Sequence, residues 1–387
     1  MNRAASRLVL EPYSETIVTE VARGALHECG GKVTCGFVFA SADYAPHLAD
    51  FLELVQVHGH VPVLAGSSGM GLVGTGTEAE GASGFSLLLL HLPETTVHPV
   101  RLPVLGEDES LDAAWVRSLA GRGAEHCTSW IIVANPFQLP VEPWLDAWNA
   151  AWPGVPMVGG LASGGRSGDQ CFVAHNHEII EGGLALGFAG GVRVDTLVSQ
   201  GCRPVGESQT ITGAEGHLVT TLGLRPAYQV LDETFGGLST ADKQIANGNL
   251  FVGLAMSEYL EEFKTGDFLI RNLLGGDPQA GVLAIGAHPR IGQTMQFQLR
   301  DRASADAELR HLTAAATAAG AQPFASLVFA CSGRGRNLFG TPNHDALALR
   351  EAFGQHASAG FFCNGEIGPV AAKNFVHGYT ASVALFS

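Results

Sequence analysis

The most constraining feature of the sequence is the segment 324–369, where two apolar runs each end in a polar, glycine-containing turn. Residues 324–330 predict a buried strand that runs into Cys-Ser-Gly-Arg-Gly at 331–335. A helix is predicted at 344–353, and a second short strand leads into a turn that carries Glu366. We therefore expect backbone N–H groups, an arginine and a glutamate to meet at one edge of a sheet, which is typical of a ligand pocket.

The same order of elements occurs twice in the chain. Residues 85–165 and 281–368 each predict a hairpin, a helix, a strand, a helix, a strand and a glycine-rich turn. The predicted hairpins join 85–92 to 95–102 and 281–287 to 294–299, because each pair of strand-forming runs is separated by a turn or break. The pattern predicts an α/β (α+β mixed) fold with two similar halves, each a mixed sheet layered with helices.

Helices and domain boundaries follow from the apolar periodicity and the capping residues. Helices are predicted at 15–29 after Ser14, 44–58, 111–119 with Ser110 as N-cap, 226–235 and 304–319. The predicted domains are an N-terminal extension with a helix (1–32), a first domain (33–223) and a second domain (224–387).

Charge and hydropathy exclude several classes of function. The 387 residues include 22 Lys+Arg against 37 Asp+Glu, so the formal net charge is −15, which argues against binding nucleic acid or anionic membranes. No apolar run approaches the ~18 residues of a membrane span, and no signal peptide pattern begins the chain. We expect a cytoplasmic protein without membrane insertion.

Metal, disulfide and nucleotide sites have weak support in the sequence. The seven cysteines are scattered and form no C-x-x-C pair, which argues against a disulfide framework or a structural zinc site. The glycine turns match neither the P-loop motif G-x-x-x-x-G-K-[ST] nor the dinucleotide-binding motif G-x-G-x-x-G, which argues against a nucleotide site. His175 and His177 have a spacing that can serve a metal, as do His58 and His60, but a third ligand is missing nearby, so surface histidines are the favoured interpretation. No metal site and no cofactor are predicted from these patterns.

Arg334 and Glu366 are the strongest candidates for ligand contact. In a chain with 15% charged residues, both stand in glycine-rich strand-end turns, where the arginine could bind an anionic group and the glutamate a donor or cationic group. The alternative is that they pair with each other or cap backbone groups. Cys331 lies beside them, either as a buried strand end or as a nucleophile activated by nearby arginines.

The motifs at 331–335 and 360–369 resemble those of the FIST family, and 61–69 and 155–160 are similar to its N-terminal portion. The resemblance covers about 33–369 and implies a sensory, small-molecule-binding module with ligands such as amino acids. The matching motif positions are Cys331, Arg334, Gly335, Asn364, Gly365, Glu366 and Gly368. All of these but Gly368 are the predicted ligand-binding residues, and no catalytic residue is predicted.

Three functional hypotheses follow. The leading one is a signal-transduction protein that binds a small polar metabolite. The resemblance also implies a haem-binding nitric oxide sensor as an alternative, and the third hypothesis is an enzyme with Cys331 as nucleophile. Because no kinase, receptor or F-box segment is recognised outside the FIST-like span, we expect the signal to pass to a separate signalling protein or through an oligomer.

Overall fold

The computed structural model describes residues 1–106, 111–256, 263 and 266–387. These residues form two compact units: unit 1 contains 1–198 and 310–387, and unit 2 contains 199–309. The domain boundary expected from the sequence, at 223/224, lies inside unit 2.

Unit 1 begins with a βα module, and the cap predicted for its first helix is present. Its elements are β1 (Arg3–Val9), α1 (Glu15–Glu28), β2 (Cys35–Ala40), α2 (Leu48–His58), β3 (Leu64–Ser68), β4 (Gly71–Gly74), β5 (Thr77–Glu80) and β6 (Phe85–His91). The Ser14 hydroxyl accepts a hydrogen bond from the Ile17 amide and caps α1 as predicted. A 3-10 turn at Ala42–His47, which contains Pro46, precedes α2. Within the predicted N-terminal extension, β1 joins the first sheet and α1 is the expected helix.

A second module repeats the order. Its elements are β7 (Thr95–Leu102), α3 (Ala113–Ala120), β8 (Ser129–Ala134), α4 (Val141–Ala151), β9 (Met157–Leu161), β10 (Val173–His175), β11 (Glu178–Ile180) and β12 (Gly183–Gly190), after which β13 (Val194–Ser199) opens the third module. The side chain of Asp112 caps α3, whereas the predicted N-cap Ser110 lies outside the described residues. Trp130, Trp148 and Trp152 pack together between β8 and α4, which is the packing role expected of tryptophans here.

Unit 2 is an antiparallel barrel with two short helices. Its elements are β14 (Cys202–Glu215), β15 (Leu218–Leu222), β16 (Arg225–Pro226), α5 (Ala227–Gly237), α6 (Thr240–Ala246), β17 (Leu250–Ala255), β18 (Phe268–Asp277), β19 (Val282–Ile285) and β20 (Thr294–Arg300). The strand order is β14-β20-β17-β18-β19-β15-β16, and β14 also pairs with β15, so six strands close on themselves. Closure leaves few unpaired edges among the described strands.

The third module carries the C-terminal motifs. The elements that follow β20 are α7 (Arg302–Ala318), which begins within unit 2, and then β21 (Ala325–Cys331), α8 (Gly335–Phe339), α9 (His344–Phe353), β22 (Ala357–Cys363), β23 (Glu366–Val370), β24 (Lys373–His377) and β25 (Ala381–Phe386). The predicted helix at 344–353 is confirmed, and β21 is fully buried except at Cys331.

The three modules exchange hairpins in a cycle. Each sheet contains, in order, the first, last, second and third strand of one module, followed by a hairpin from another: β1-β6-β2-β3-β10-β11, β7-β12-β8-β9-β23-β24 and β13-β25-β21-β22-β4-β5. The second and third strands of every module are parallel. The mixed α/β class and the internal repetition are thus confirmed, and within unit 1 the repeat occurs three times.

Each exchanged hairpin is attached at the same point. One polar side chain at or beside its turn accepts a hydrogen bond from the backbone N–H at the start of a third strand. The pairs are Asn176 Oδ1 with Leu64 N at 2.9 Å, Asn374 Oδ1 with Met157 N at 2.8 Å and Thr75 Oγ1 with Ser358 N at 3.1 Å. The repeated contact fixes how far each hairpin advances along its sheet.

The predicted hairpins are wrong, although their strands exist. β6 pairs with β1 and β2, while β7 pairs with β12 in a different sheet. Likewise β19 pairs with β15 and β18, and β20 with β14 and β17. A short connection permits a hairpin, but strands pair where both sheet faces can be buried, and that choice depends on distant parts of the chain.

Among the described residues, no helix has the length and apolar character needed to cross a membrane.

Candidate functional site

The candidate site lies at the carboxyl ends of β21 and β22. These parallel strands end in register at Cys331 and Cys363, and the Ser332 amide donates to the Cys363 carbonyl at 3.1 Å. Gly335 has φ +57° and Gly365 has φ +156°, so both turns use conformations that side chains disfavour. The two sequence motifs are therefore adjacent in space.

A fully buried ion pair lies beneath this edge. The Arg334 side chain is 0% exposed, and its Nε and Nη2 donate to the two Asp345 oxygens at 2.6 and 2.9 Å. Burial alone would raise the pKa of Asp345, but the Arg334 guanidinium holds that pKa well below its ordinary value. The Phe339 ring lies 5.3 Å from the guanidinium carbon, and His344 Nδ1 lies 2.9 Å from Asp345 Oδ1. Arg334 is thus held by protein groups.

Glu366 is the second buried acid of the site. Its carboxyl is 0% exposed, and Oε2 accepts a hydrogen bond from the Thr380 amide at 3.1 Å. Oε1 has no hydrogen-bond partner among the described residues. Burial raises the pKa of Glu366 well above its ordinary value, which favours the protonated form of this carboxyl. A neutral buried acid can donate as well as accept a hydrogen bond.

The Cys331 thiol lies against Glu366 and is half-buried, whereas the other six cysteines are buried. Burial, followed by the Glu366 carboxyl, raises the pKa of Cys331 to about 12. The thiolate, which is the nucleophilic form, is therefore scarce near neutral pH. The geometry gives Cys331 the properties of a pocket-lining thiol and offers no activation for covalent catalysis.

Two acids that sequence reasoning missed reach the site from the first module. The exchanged β4–β5 hairpin places Glu78 Oε1 2.9 Å from the Ala346 amide at the start of α9. It also places Glu80 Oε1 2.9 Å from the Arg336 amide. The signal available in the sequence was a pair of acids inside an otherwise apolar, glycine-bounded run at 71–81. Nothing local links that run to α9, which lies more than 260 positions away.

The remaining predicted residues contribute mainly backbone. Asn364 is exposed, and its amide donates to the Leu161 carbonyl at 3.1 Å. Gly365 accepts from the Leu161 amide at 2.9 Å, and a Cβ on Gly335 would lie 2.7 Å from the Glu80 carboxyl. The structure therefore brings Cys331, Arg334 and Glu366 together, with Asn364 at the accessible rim of the same edge.

The histidines singled out by spacing do not converge on one another. Arg101 Nε donates to His175 Nδ1 at 2.9 Å, and His177 Nδ1 lies 3.1 Å from Gln56 Oε1. In the part of the chain that the structure describes, no group of three or more His, Cys, Asp or Glu side chains could hold a metal ion. A cavity of about 320 Å³ lies elsewhere, along α1 and α2, and is lined by Glu15, Asp50, Glu53, Leu54, Val57 and His58.

Comparison with known proteins covers the whole chain. An uncharacterized Mycobacterium tuberculosis protein, Rv0628c, is 34% identical over 377 residues, which is 97% of each chain. A Mycobacterium bovis protein, Mb0898c, is 40% identical over 257 residues, which is 66% of this chain and 67% of the relative. A cyanuric acid hydrolase from A. caulinodans aligns over 100% of this chain and 99% of its own, with 9% identity and a TM-score of 0.36, too low to support any conclusion.

Domain matches identify the family. FIST domains are known as small-ligand sensory domains in signal transduction. Residues 34–225 match the FIST N domain and residues 227–369 match the FIST C domain. The chain therefore belongs to the FIST family.

Proposed function

We propose that this protein is a sensory protein that binds a small polar molecule at the carboxyl ends of β21 and β22. The observation that carries the proposal is Glu366, whose fully buried carboxyl has one oxygen without a hydrogen-bond partner among the described residues and lies against the half-buried Cys331 thiol. A buried polar atom left without a partner costs about 1–3 kcal/mol. A ligand that supplies the partner removes this cost, so the binding free energy includes it.

The candidate residues divide into two roles. Cys331 and Asn364 contact the ligand, the first through an apolar, polarisable thiol and the second through an amide that both donates and accepts. The turns at Gly335 and Gly365 bring backbone close to the ligand. Arg334 acts as a positioning residue in this proposal, because both Asp345 oxygens accept hydrogen bonds from its guanidinium, while its charge lowers the pKa of Glu366 against the larger effect of burial.

The ligand class follows from the balance of charge. Arg334 and Asp345 neutralise one another, and burial favours the neutral form of Glu366, so the site favours a small molecule rich in hydrogen-bonding groups. An amino acid or a similar metabolite fits this description. We infer a cytoplasmic protein that transmits ligand binding to a separate signalling protein or through an oligomer.

The other two hypotheses have less support. A nucleophilic Cys331 would need a lowered pKa, and burial raises it. The haem hypothesis rests on the family resemblance, since the contacts of the described residues single out none of the histidines as an axial ligand.

Isothermal titration calorimetry with each of the twenty standard amino acids tests the proposal, together with mass spectrometry of compounds released on denaturation. For a compound that binds, we expect Glu366→Met, which removes both oxygens, to raise Kd at least about tenfold, the equivalent of one lost hydrogen bond to a buried group. Glu53→Met is the matched control, because it changes a carboxyl that lines the α1–α2 cavity instead. Loss of affinity in Glu53→Met with no change in Glu366→Met would place the ligand in that cavity and refute the assignment.

A further inference from the structure

The β4–β5 hairpin joins the first module to the segment that carries the candidate site. It forms the edge of the third module's sheet, where β4 pairs with β22. From β5, Glu78 Oε1 accepts from the Ala346 amide and the Glu78 amide donates to Asn343 Oδ1 at 2.7 Å. Two residues on, Glu80 accepts from the Arg336 amide. One short strand therefore holds the starts of both α8 and α9.

Glu78 is the unusual member of this contact. Its side chain is 7% exposed, and Oε2 has no hydrogen-bond partner among the described residues. The charges that act most strongly on its pKa are Asp345 on α9, which raises it, and Arg334 in the preceding turn, which lowers it. The other charged or titratable groups around it are His344 and Arg350 on α9, Arg336 on α8 and Glu80 on its own strand. Two acids thus face one guanidinium across the contact between hairpin and helix.

We propose that the β4–β5 hairpin is a proton-operated clamp. Protonated Glu78 holds the start of α9, whereas ionised Glu78 loosens it and exposes Cys331 at the carboxyl end of β21. The clamp is a property of the folded chain alone; that it regulates ligand binding rests on the function proposed above. The event that operates the clamp is protonation of Glu78, and the property that changes is access to the candidate site.

The physical basis is the cost of burying an ionised Glu78 carboxyl, to which repulsion by the Asp345 carboxylate adds. The Arg334 guanidinium is engaged by both Asp345 oxygens, so it compensates Asp345 more than Glu78. Burial, followed by the Asp345 charge, raises the pKa of Glu78 to about 7. When Glu78 carries a proton, the repulsion is absent and Oε2 becomes a donor. The stabilisation is fully present below the ordinary pKa of 4.5 and is lost as the pH rises through about 7.

Loosening of the start of α9 would reach Cys331 through the ion pair between Asp345 and Arg334. Asp345 follows directly after the first residue of α9, and it holds Arg334, which is three residues beyond Cys331. Movement of the start of α9 therefore moves the Cys331 turn. Because six of the seven cysteines are buried, alkylation by iodoacetamide reports on this edge through Cys331.

Glu78→Gln tests the clamp, since glutamine retains an acceptor for Ala346 and mimics the protonated acid. Between pH 5 and pH 8, we expect the folded-to-unfolded ratio of the wild type to fall at least about tenfold relative to Glu78→Gln. The ratio of Cys331 alkylation rates, wild type over variant, should rise from about 1 at pH 5.5 to about 3 or more at pH 8. Glu80→Gln, on the same strand, is the matched control and should follow the wild type.

Parallel stability profiles for the wild type and Glu78→Gln, or a constant ratio of alkylation rates, would overturn the clamp. If Glu78→Gln does not fold, carbon-13 NMR of glutamate carboxyls in the wild type replaces it. A glutamate that titrates near neutral pH together with falling protection of the Ala346 amide supports the clamp, and stable protection across that range refutes it. Neither measurement uses a ligand, so an absence of amino-acid binding at every pH would reject the proposed function and leave the clamp standing.

Discussion

The second strands of the three modules, β2, β8 and β21, end at equivalent positions, but the polar groups that follow them differ. After β2, the Ser41 hydroxyl donates to the Gly84 carbonyl and accepts from the Gly84 amide. After β8, the side-chain Nδ2 of Asn135 donates to two backbone carbonyls, and its Oδ1 accepts from the backbone N–H of Phe137. After β21, the corresponding turn contains the buried ion pair of Arg334 and Asp345 instead.

This difference distinguishes neutral turns from a turn with buried charge. The side chains after β2 and β8 are neutral, and their hydrogen bonds are made within one or two loops. Burying them therefore costs little free energy. The third end concentrates charge in the interior, where charges are expensive unless they are paired. Of these three turns, the one with buried charge is therefore also the one at the proposed site, which is the arrangement expected if a site was added to a repeated scaffold.

The largest effect is expected from Arg334→Met. Removal of the guanidinium leaves Asp345 buried without its partner, and such changes cost about 3–5 kcal/mol of unfolding free energy. Arg310→Met is the control, because its pair with Glu351 is more than half exposed on both sides and should contribute about 1 kcal/mol or less. Urea unfolding monitored by tryptophan fluorescence measures both, and equal losses would show that the buried pair is not special.

A smaller loss is expected from Asn135→Ala at the neutral end. The Gly168 and Cys171 carbonyls lose their donor and the Phe137 amide loses its acceptor, which should cost about 1–3 kcal/mol in total. Asn337→Ala changes an exposed asparagine and is the matched control. If Asn135→Ala destabilised the protein as much as Arg334→Met, the contrast between neutral and ionic ends would fail.

The smallest effect is expected at the amino ends of β21 and β22, where His356 Nε2 lies 3.0 Å from the Ser326 hydroxyl. Burial lowers the pKa of His356, so the unfolded chain takes up the proton first as the pH falls. Stability should therefore drop between the ordinary value near 6.5 and the lower folded pKa. Unfolding free energies at pH 7 and pH 5 should differ more in the wild type than in His356→Gln, and identical differences would exclude this role.

Local sequence patterns predicted where helices and strands occur, but they did not predict which strands pair. Helices α1 and α9 begin where Ser14 and the 344–353 periodicity predict, because capping and amphipathicity act over a few residues. The expected hairpins failed for the opposite reason. The Pro93-Glu94 link is short enough for β6 and β7 to pair, yet β6 is taken by β1 and β2.

The candidate site shows the same division. Cys331, Arg334 and Glu366 could be selected because charged or reactive residues in glycine turns stand out in an apolar chain. Asp345 resembled an ordinary acid in the first turn of a helix, and Glu78 lay in a distant strand. Neither carried a local sign of its role, since that role arises from burial and from a partner contributed by another module.

By itself, the sequence determined the mixed α/β class, most helices and strands, the internal repetition and the motifs of the FIST family, because these depend on propensity, periodicity and nearby residues. Only the tertiary structure decided the threefold exchange of hairpins, the closure of the unit 2 barrel and the pairing of Arg334 with Asp345. Sheet pairing and the burial of charge are settled by competition among surfaces far apart in the chain, and the lowest free energy belongs to the whole arrangement.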